Sequence, residues 1–324
     1  MAGLAAADAL HAAGLATTLI EAAPDVGGLA RAIRVNGEPI EAFYHHIFPQ
    51  DHETIALASR LGMADRIEWL HGSMAVLHQG RVFPFDSPLD LLRFTPLSLP
   101  ARLHLGIGTV SAIVARDLRS MDDQASGTYG PRRFGRAGYD LLWRPMLEAK
   151  FGQEGARHVP LAWLASRIRQ RAAARRVTGD RLGYFRGSLG TLSTAYAEDL
   201  RRQGVRIETG TRVGRLHRDG HRWVADVEGP GGPSRHEGDV VVAALSGQIL
   251  ARITELPRDY LETVSAIDYR GVVCVLLELT RPLSKHYWVN VTDRLGLGCV
   301  GVIEHTNLVP PDRYGGRHLV YLAH

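Results

Sequence analysis

Cysteine is nearly missing from this chain. Two occur in 324 residues, Cys274 and Cys299, each within an apolar, strand-like segment. Two cysteines build no disulfide scaffold, and no CxxC spacing offers a metal site. Both read as small buried hydrophobes, suited to a reducing cytoplasm. Lysine is nearly missing as well. Lys150 and Lys285 are the only two, so 38 basic residues less two lysines leaves 36 arginines. These are interleaved with 34 acids, for a net charge of only +4. That pattern argues against a nucleic-acid surface. The local stretch Arg169, Arg171, Arg175 and Arg176 reads as a solvated helix face.

Long apolar runs are missing too. No stretch reaches the ~18 uncharged apolar residues of a membrane-spanning helix. The longest candidate, "LHLGIGTVSAIVA", has 13 residues between Arg102 and Arg116. It reads first as a core helix, with a membrane surface as the other reading. The Ala-rich start is not a secretion signal. No Lys or Arg precedes Arg31, and Asp8, His11 and Glu21 interrupt the apolar stretch.

What is present points to a cofactor fold. With 45% hydrophobic residues, the chain can bury the core of two domains or of one large α/β unit. "GLAAADALHAAG" is rich in helix formers and stops at Gly14. "ATTLIE" follows as a short strand ending in an acid. "AAPDVGGLARA" then supplies a Pro/Asp turn and a glycine doublet that opens another helix. This is the α-β-loop-α part of a dinucleotide-binding unit. Gly3 stands 18 residues before Glu21, the separation of the third glycine of GxGxxG from the ribose-binding acid. The first two glycines and the first strand do not appear before Gly3.

The doublet six residues after Glu21, followed by Arg31, resembles the flavoprotein family of the amine oxidases and protoporphyrinogen oxidases. Phytoene desaturases and UDP-galactopyranose mutases are related to it. The resemblance extends over nearly the whole chain with decreasing specificity. It implies an α/β fold: a Rossmann-like FAD-binding domain lacking its first strand, with a mixed α+β substrate domain. The expected boundaries are 1–85 and 180–250 for the FAD-binding domain, and 86–179 and 251–324 for the substrate domain. Residues 86–176 read as largely helical. "VVVAAL" reads as a strand, as do "GVVCVLLEL", "HYWVNVTD", "LGCVGVIEHTNL" and "HLVYLAH".

FAD is the implied cofactor, with contacts at Gly3, Glu21, Ala22, Gly27, Gly28, Leu29, Arg31, Tyr44, His45, His46 and Val213. Gly27 and Gly28 would let the backbone pass close to the cofactor, and Arg31 would pair with the pyrophosphate. The residue matching Val213 meets adenine through its backbone. "FYHH" would pass near the flavin ring, although Phe43 and Tyr44 stand where the family has small residues. His45 and His46 are the candidates nearest the ring, without a clear general base. Successive strand residues face opposite ways, so these two share no metal ion, and no metal is expected. Tyr287, Trp288 and His305 are candidate pocket walls, with core packing as the alternative. Arg144 and Lys150 are weak candidates for a substrate anion.

The implied activity is oxidoreduction of a small organic molecule, in the cytoplasm, without nucleic acid. Two alternatives stand beside it: a flavin-dependent nucleotide-sugar mutase, and a non-catalytic fragment. The family's C-terminal flavin-contacting segment has no match before His324, so weak FAD binding is also expected.

Overall fold

The computed structural model describes residues 1–176, 179–292 and 298–324. The chain forms two compact units. One comprises Met1–Phe43, Leu57–Ala64 and Gly187–Gly271; the other comprises Tyr44–Ala56, Asp65–Arg186 and Val272–His324.

The first unit is organised by a short parallel pair. Thr18–Ile20 runs alongside Arg206–Glu208. The helix Ala2–Ala12 precedes the first strand and ends where Gly14 turns left-handed at φ 80°. Its buried Leu4 and Ala7 pack against Tyr196, Ala197 and Leu200 of the helix Ser188–Gln203. Arg60 and Tyr196 both reach Asp8 Oδ2, at 2.7 and 2.6 Å. A hairpin, Ala32–Val35 with Glu38–Glu41, turns at Asn36 and Gly37 with φ of 50° and 86°. Positive φ at both positions is the type I′ signature that Asn-Gly favours. The helix Ser188–Gln203 crosses this hairpin closely, since a Cβ on Gly190 would come within 2.8 Å of Ala32. The meander Arg212–Asp219, Arg222–Gly229 and Gly232–Gly238 follows.

Two expectations fail in this unit. The glycine doublet opens only a 3-10 turn, Gly28–Ala30, because Arg31 is already extended (φ −62°, ψ 152°) and leads into the hairpin. "VVVAAL" forms no strand, and Val240, Val241 and Val242 are 70%, 41% and 53% exposed. An apolar run becomes a strand only where a neighbour completes its hydrogen-bond ladder, and among the described residues none does.

The second unit carries a six-stranded sheet. Its order is Cys274–Leu279, His318–Ala323, Gly301–Glu304, Trp288–Val291, Met74–His78, Arg81–Pro84. Trp288–Val291 pairs in parallel with Met74–His78. Ile67–Gly72 pairs with Gly179–Phe185 in a smaller sheet. These pairings place residues 65–85 in this unit rather than with the FAD-binding ranges expected from sequence, and residues 251–271 fall in the first unit. Leu297 and Asp293 of the expected strands lie outside the described residues.

The helical part includes Pro88–Arg93, Leu99–Val114, Ser126–Phe134, Arg144–His158 and Leu161–Ala174. Pro145 directly follows the π-helical turn Tyr139–Trp143 that leads without a break into Arg144–His158, the local adjustment expected where a proline removes a helix N–H. Phe94, Leu105, Phe134, Leu147 and Leu161 form the centre of this core. The helix over "LHLGIGTVSAIVA" is a core helix on one face only: Leu105, Gly108 and Ala112 are buried, while Ile107 and Val110 are exposed. The arginine stretch is not a solvated face. The helix ends at Ala174, Arg169, Arg171 and Arg175 are half-buried, and Arg171 lies over the Trp288 ring at 5.6 Å.

Two glycines in Leu99–Val114 separate packing from propensity. A Cβ on Gly108 would meet the Arg133 carbonyl oxygen at 2.2 Å, whereas one on Gly106 would meet Leu91 at an ordinary 3.5 Å. Gly108→Ala is expected to destabilise by roughly 1–3 kcal/mol. Gly106→Ala is expected to stabilise by about 0.5–1 kcal/mol. Urea unfolding of the two variants checks both signs.

Candidate functional site

The expected cofactor residues of the first unit gather at the end of the parallel pair. Glu21 follows the strand Thr18–Ile20 and donates its N–H to the Glu208 carbonyl at 2.8 Å. Its side-chain Oε1 accepts from Ala23 N at 2.8 Å. Glu21 O accepts from Thr211 N at 2.9 Å, and Ala23 O accepts from Gly210 N at 2.8 Å. The loop carrying the acid is thus stitched to the loop before the meander. Among the described residues, Glu21 Oε2 has no hydrogen-bond partner, leaving an acceptor for a ligand hydroxyl.

Gly27 and Gly28 both have positive φ, 112° and 61°. A Cβ on Gly27 would lie 3.0 Å from Ser193 Oγ, while one on Gly28 would meet open space. Gly27 is therefore required by close approach to the helix, and Gly28 leaves room beside the backbone for a bound group. Leu29 is 69% exposed. Arg31 is exposed and makes no ion pair among the described residues, so its guanidinium is free for an anion. Val213 sits just before a slip in register at Gly214, a bulge that interrupts the ladder.

Gly3 behaves differently from expectation. It lies against Leu19 and Ala244, but a Cβ there would make ordinary contacts at 3.6 Å. Close helix–strand packing does not demand glycine at this position. The sequence reading missed Ser193, Thr211 and the turn Gly187–Ser188, whose φ values are 87° and 73°. Ser193 lies under Gly27, and buried Glu41 accepts from Leu189 N at 3.1 Å. The only sequence signal for them was the Gly-Ser-Leu-Gly run opening the helix.

Tyr44, His45 and His46 belong to the second unit. His45 is exposed, whereas His46 is enclosed by rings. His46 stands edge-on to Phe48, Tyr287 and Trp288, and its Nδ1 is 3.1 Å from the Tyr287 hydroxyl. Tyr44 packs edge-on to Trp288 and Tyr321. Tyr321 contacts His305, whose Nε2 is 2.8 Å from the Tyr314 hydroxyl. Tyr287, Trp288 and His305 thus join one aromatic cluster with both His46 and Tyr44.

Burial lowers the His46 pKa to about 3, with Arg171 and His45 adding to the effect. Burial, and secondarily Arg313, lowers that of His305 to about 3. Burial also raises the Tyr44 phenol. His46 and His305 are therefore neutral at physiological pH. Such weakly basic imidazoles orient and hydrogen-bond, but take up protons poorly. Arg144 pairs with Asp140 at 2.5 Å, and Lys150 lies over Trp163 at 5.9 Å, so neither candidate anion ligand is uncommitted. The open recesses of the two units are lined by other residues, including Arg212 and Asp226 in one and Tyr139 and Glu148 in the other.

Residues 1–317 match the family model of the flavin containing amine oxidoreductases. The chain belongs to this family. FAD is its cofactor, and it is a flavin-containing oxidoreductase. Solved structures share the flavin amine oxidoreductase fold. A protoporphyrinogen oxidase candidate from Exiguobacterium sp. 255-15 has 18% identity and a TM-score of 0.74, covering 99% of this chain and 74% of its own. An oxidoreductase from Methanosarcina mazei has 18% identity and a TM-score of 0.70, covering 99% and 76%. Putrescine oxidase bound to putrescine has 16% identity and a TM-score of 0.68, covering 99% and 72%. No curated protein matches this family member in sequence.

The buried histidines make a pH prediction. His305 is 3% exposed and neutral when folded, but takes up a proton below its ordinary pKa once unfolded. Its contribution is complete above about pH 6.5 and is lost as pH falls toward 3. Between pH 7 and pH 5 this loss is about 2 kcal/mol. Urea unfolding across that interval is expected to show the loss, and His305→Gln to reduce it by about this amount, leaving the part due to His46.

Proposed function

We propose that Glu21, Ala22, Gly27, Gly28, Leu29 and Arg31 hold the ADP-ribose part of FAD, with Gly3 and Val213 flanking it. Glu21 Oε2 accepts from a ribose hydroxyl. Arg31 faces the pyrophosphate, and the backbone at Gly28 passes close beside it. The observation that carries this reading is the Glu21 carboxylate: it is fixed at a strand end by its own loop, with one oxygen uncommitted, six residues before two left-handed glycines.

Bound FAD supplies a ring nitrogen that takes up a hydride from a C–H bond of an organic substrate. The chain's own part is to bind, orient and exclude water. Tyr44, His45 and His46, which belong to the second unit, are the residues we assign to the flavin ring. His46 and His305 stay neutral and hold the hydroxyls of Tyr287 and Tyr314 in place. Trp288 and Tyr44 offer flat apolar surface, and the Arg171 guanidinium lies over the Trp288 ring. This lining suits a largely apolar small molecule rather than a polyanion. No strong base is present in the cluster, and hydride removal from a neutral substrate requires none.

Glu21→Ala tests the reading. Removing a charge-assisted hydrogen bond is expected to weaken FAD binding by roughly 10–100-fold, measured by quenching of flavin fluorescence on reconstitution. FMN has no adenosine ribose, so its affinity is expected to be unchanged. Equal FAD affinity in the variant and the parent would remove Glu21 from the site.

A further inference from the structure

The helix Leu99–Val114 has two apolar faces, and only one is covered. Leu105, Gly108 and Ala112 are buried against the helical core. On the opposite side Leu99, Leu103, Ile107, Val110 and Val114 are 55%, 51%, 69%, 57% and 67% exposed. Their spacing of 4, 4, 3 and 4 residues confines them to an arc of about 80° at 100° per residue. They form a continuous ridge about 24 Å long for the helix's 16 residues. Leu92 of the neighbouring helix Pro88–Arg93 is 43% exposed and borders this ridge. Its carbonyl accepts from Arg102 Nη1 at 2.5 Å, and Leu91 lies beside Gly106.

An exposed apolar ridge of this length marks an interaction surface. Charge identifies the occupant. The helix contains no Asp or Glu; its titratable side chains are Arg102 and His104, both basic. Exposed Arg93 precedes the ridge, and exposed Arg116 and Arg119 follow it. Asp90 is taken up in the capping box with Ser87, and Asp117 accepts from Arg119 N. Asp122 and Asp123 lie farther along, past the 3-10 turn Arg119–Met121. A second copy packed on the ridge would set basic flanks against basic flanks, without the opposite charges that support a helix pair. Anionic lipid headgroups complement Arg93 and Arg116 while the ridge enters the acyl boundary. Among the described residues no helix is long and apolar enough to cross a membrane, so the helix would lie flat.

We propose that Leu99–Val114 docks this protein on an anionic bilayer surface, with Leu103, Ile107 and Val110 inserted and Arg93 and Arg116 against the headgroups. Co-sedimentation of the full chain with phosphatidylcholine–phosphatidylglycerol vesicles tests it. The chain is expected to sediment with these vesicles, less with phosphatidylcholine alone, and less as salt rises. Ile107→Glu with Val110→Glu is expected to weaken binding by about tenfold or more. Both side chains face solvent, so the thermal melt should not change. Arg93→Glu with Arg116→Glu is expected to weaken binding to the mixed vesicles alone. Val240→Glu, on an exposed apolar stretch of the other unit, is expected to leave binding intact. Absence of sedimentation, equal binding by the Ile107/Val110 variant, or loss of binding in Val240→Glu would each overturn the proposal. Light scattering supplies a further test: a dimer that the Ile107/Val110 variant dissociates, without vesicle binding by the parent, would assign the ridge to a second copy.

Discussion

Three residues of parallel strand pairing organise the first unit. Thr18–Ile20 meets Arg206–Glu208 across a long loop of sequence, and closing such a loop costs entropy that local contacts alone do not offset. The cost is met by packing of two helices, where Leu4 and Ala7 meet Tyr196 and Leu200, and by the Asp8 carboxylate, which ties both helices to Arg60. Once the pair is formed, Glu21 and Ala23 are bonded to Glu208, Gly210 and Thr211. The acid then has one position, and the glycine doublet begins from a defined point. If the pairing were lost, every proposed cofactor residue of this unit would lose its reference frame.

The second unit solves a different problem. It brings histidines into an aromatic cluster and keeps them uncharged there. Burial favours neutral imidazole, and each histidine meets a tyrosine hydroxyl rather than a carboxylate. The result is a set of edge-on rings in which each buried imidazole is paired with a tyrosine hydroxyl. It is poorly suited to proton abstraction, which agrees with an oxidoreductase whose electrons pass to a flavin. The same unit leaves one helix apolar on both sides. Its uncovered face is the surface on which the proposed docking of Leu99–Val114 rests.

Legibility in the sequence followed the range of the forces. Local signals were read well. Gly14 ended its helix, and Glu21 stood at its strand end. These depend on φ preferences and short periodicities that each segment carries alone. Features that need a distant partner were misread. "VVVAAL" has strand composition, but no strand pairs with it among the described residues. Residues 65–85 looked continuous with the nucleotide domain, yet their partners are Gly179–Phe185 and Trp288–Val291. Arg171 looked solvated until the fold placed Trp288 beneath it.

By itself, then, the sequence determined the family and the flavin cofactor, and singled out the stretch around Glu21, Gly27 and Gly28, because an acid at a strand end and a glycine doublet are local signals. The tertiary structure alone decided that Gly28 borders open space while Gly27 abuts Ser193. It alone placed His46 and His305 in the aromatic cluster, and turned Ile107 outward while Gly108 packs inward. Composition and spacing set which side chains a segment offers. Burial, and with it pKa and accessibility, depends on what the rest of the chain brings against them.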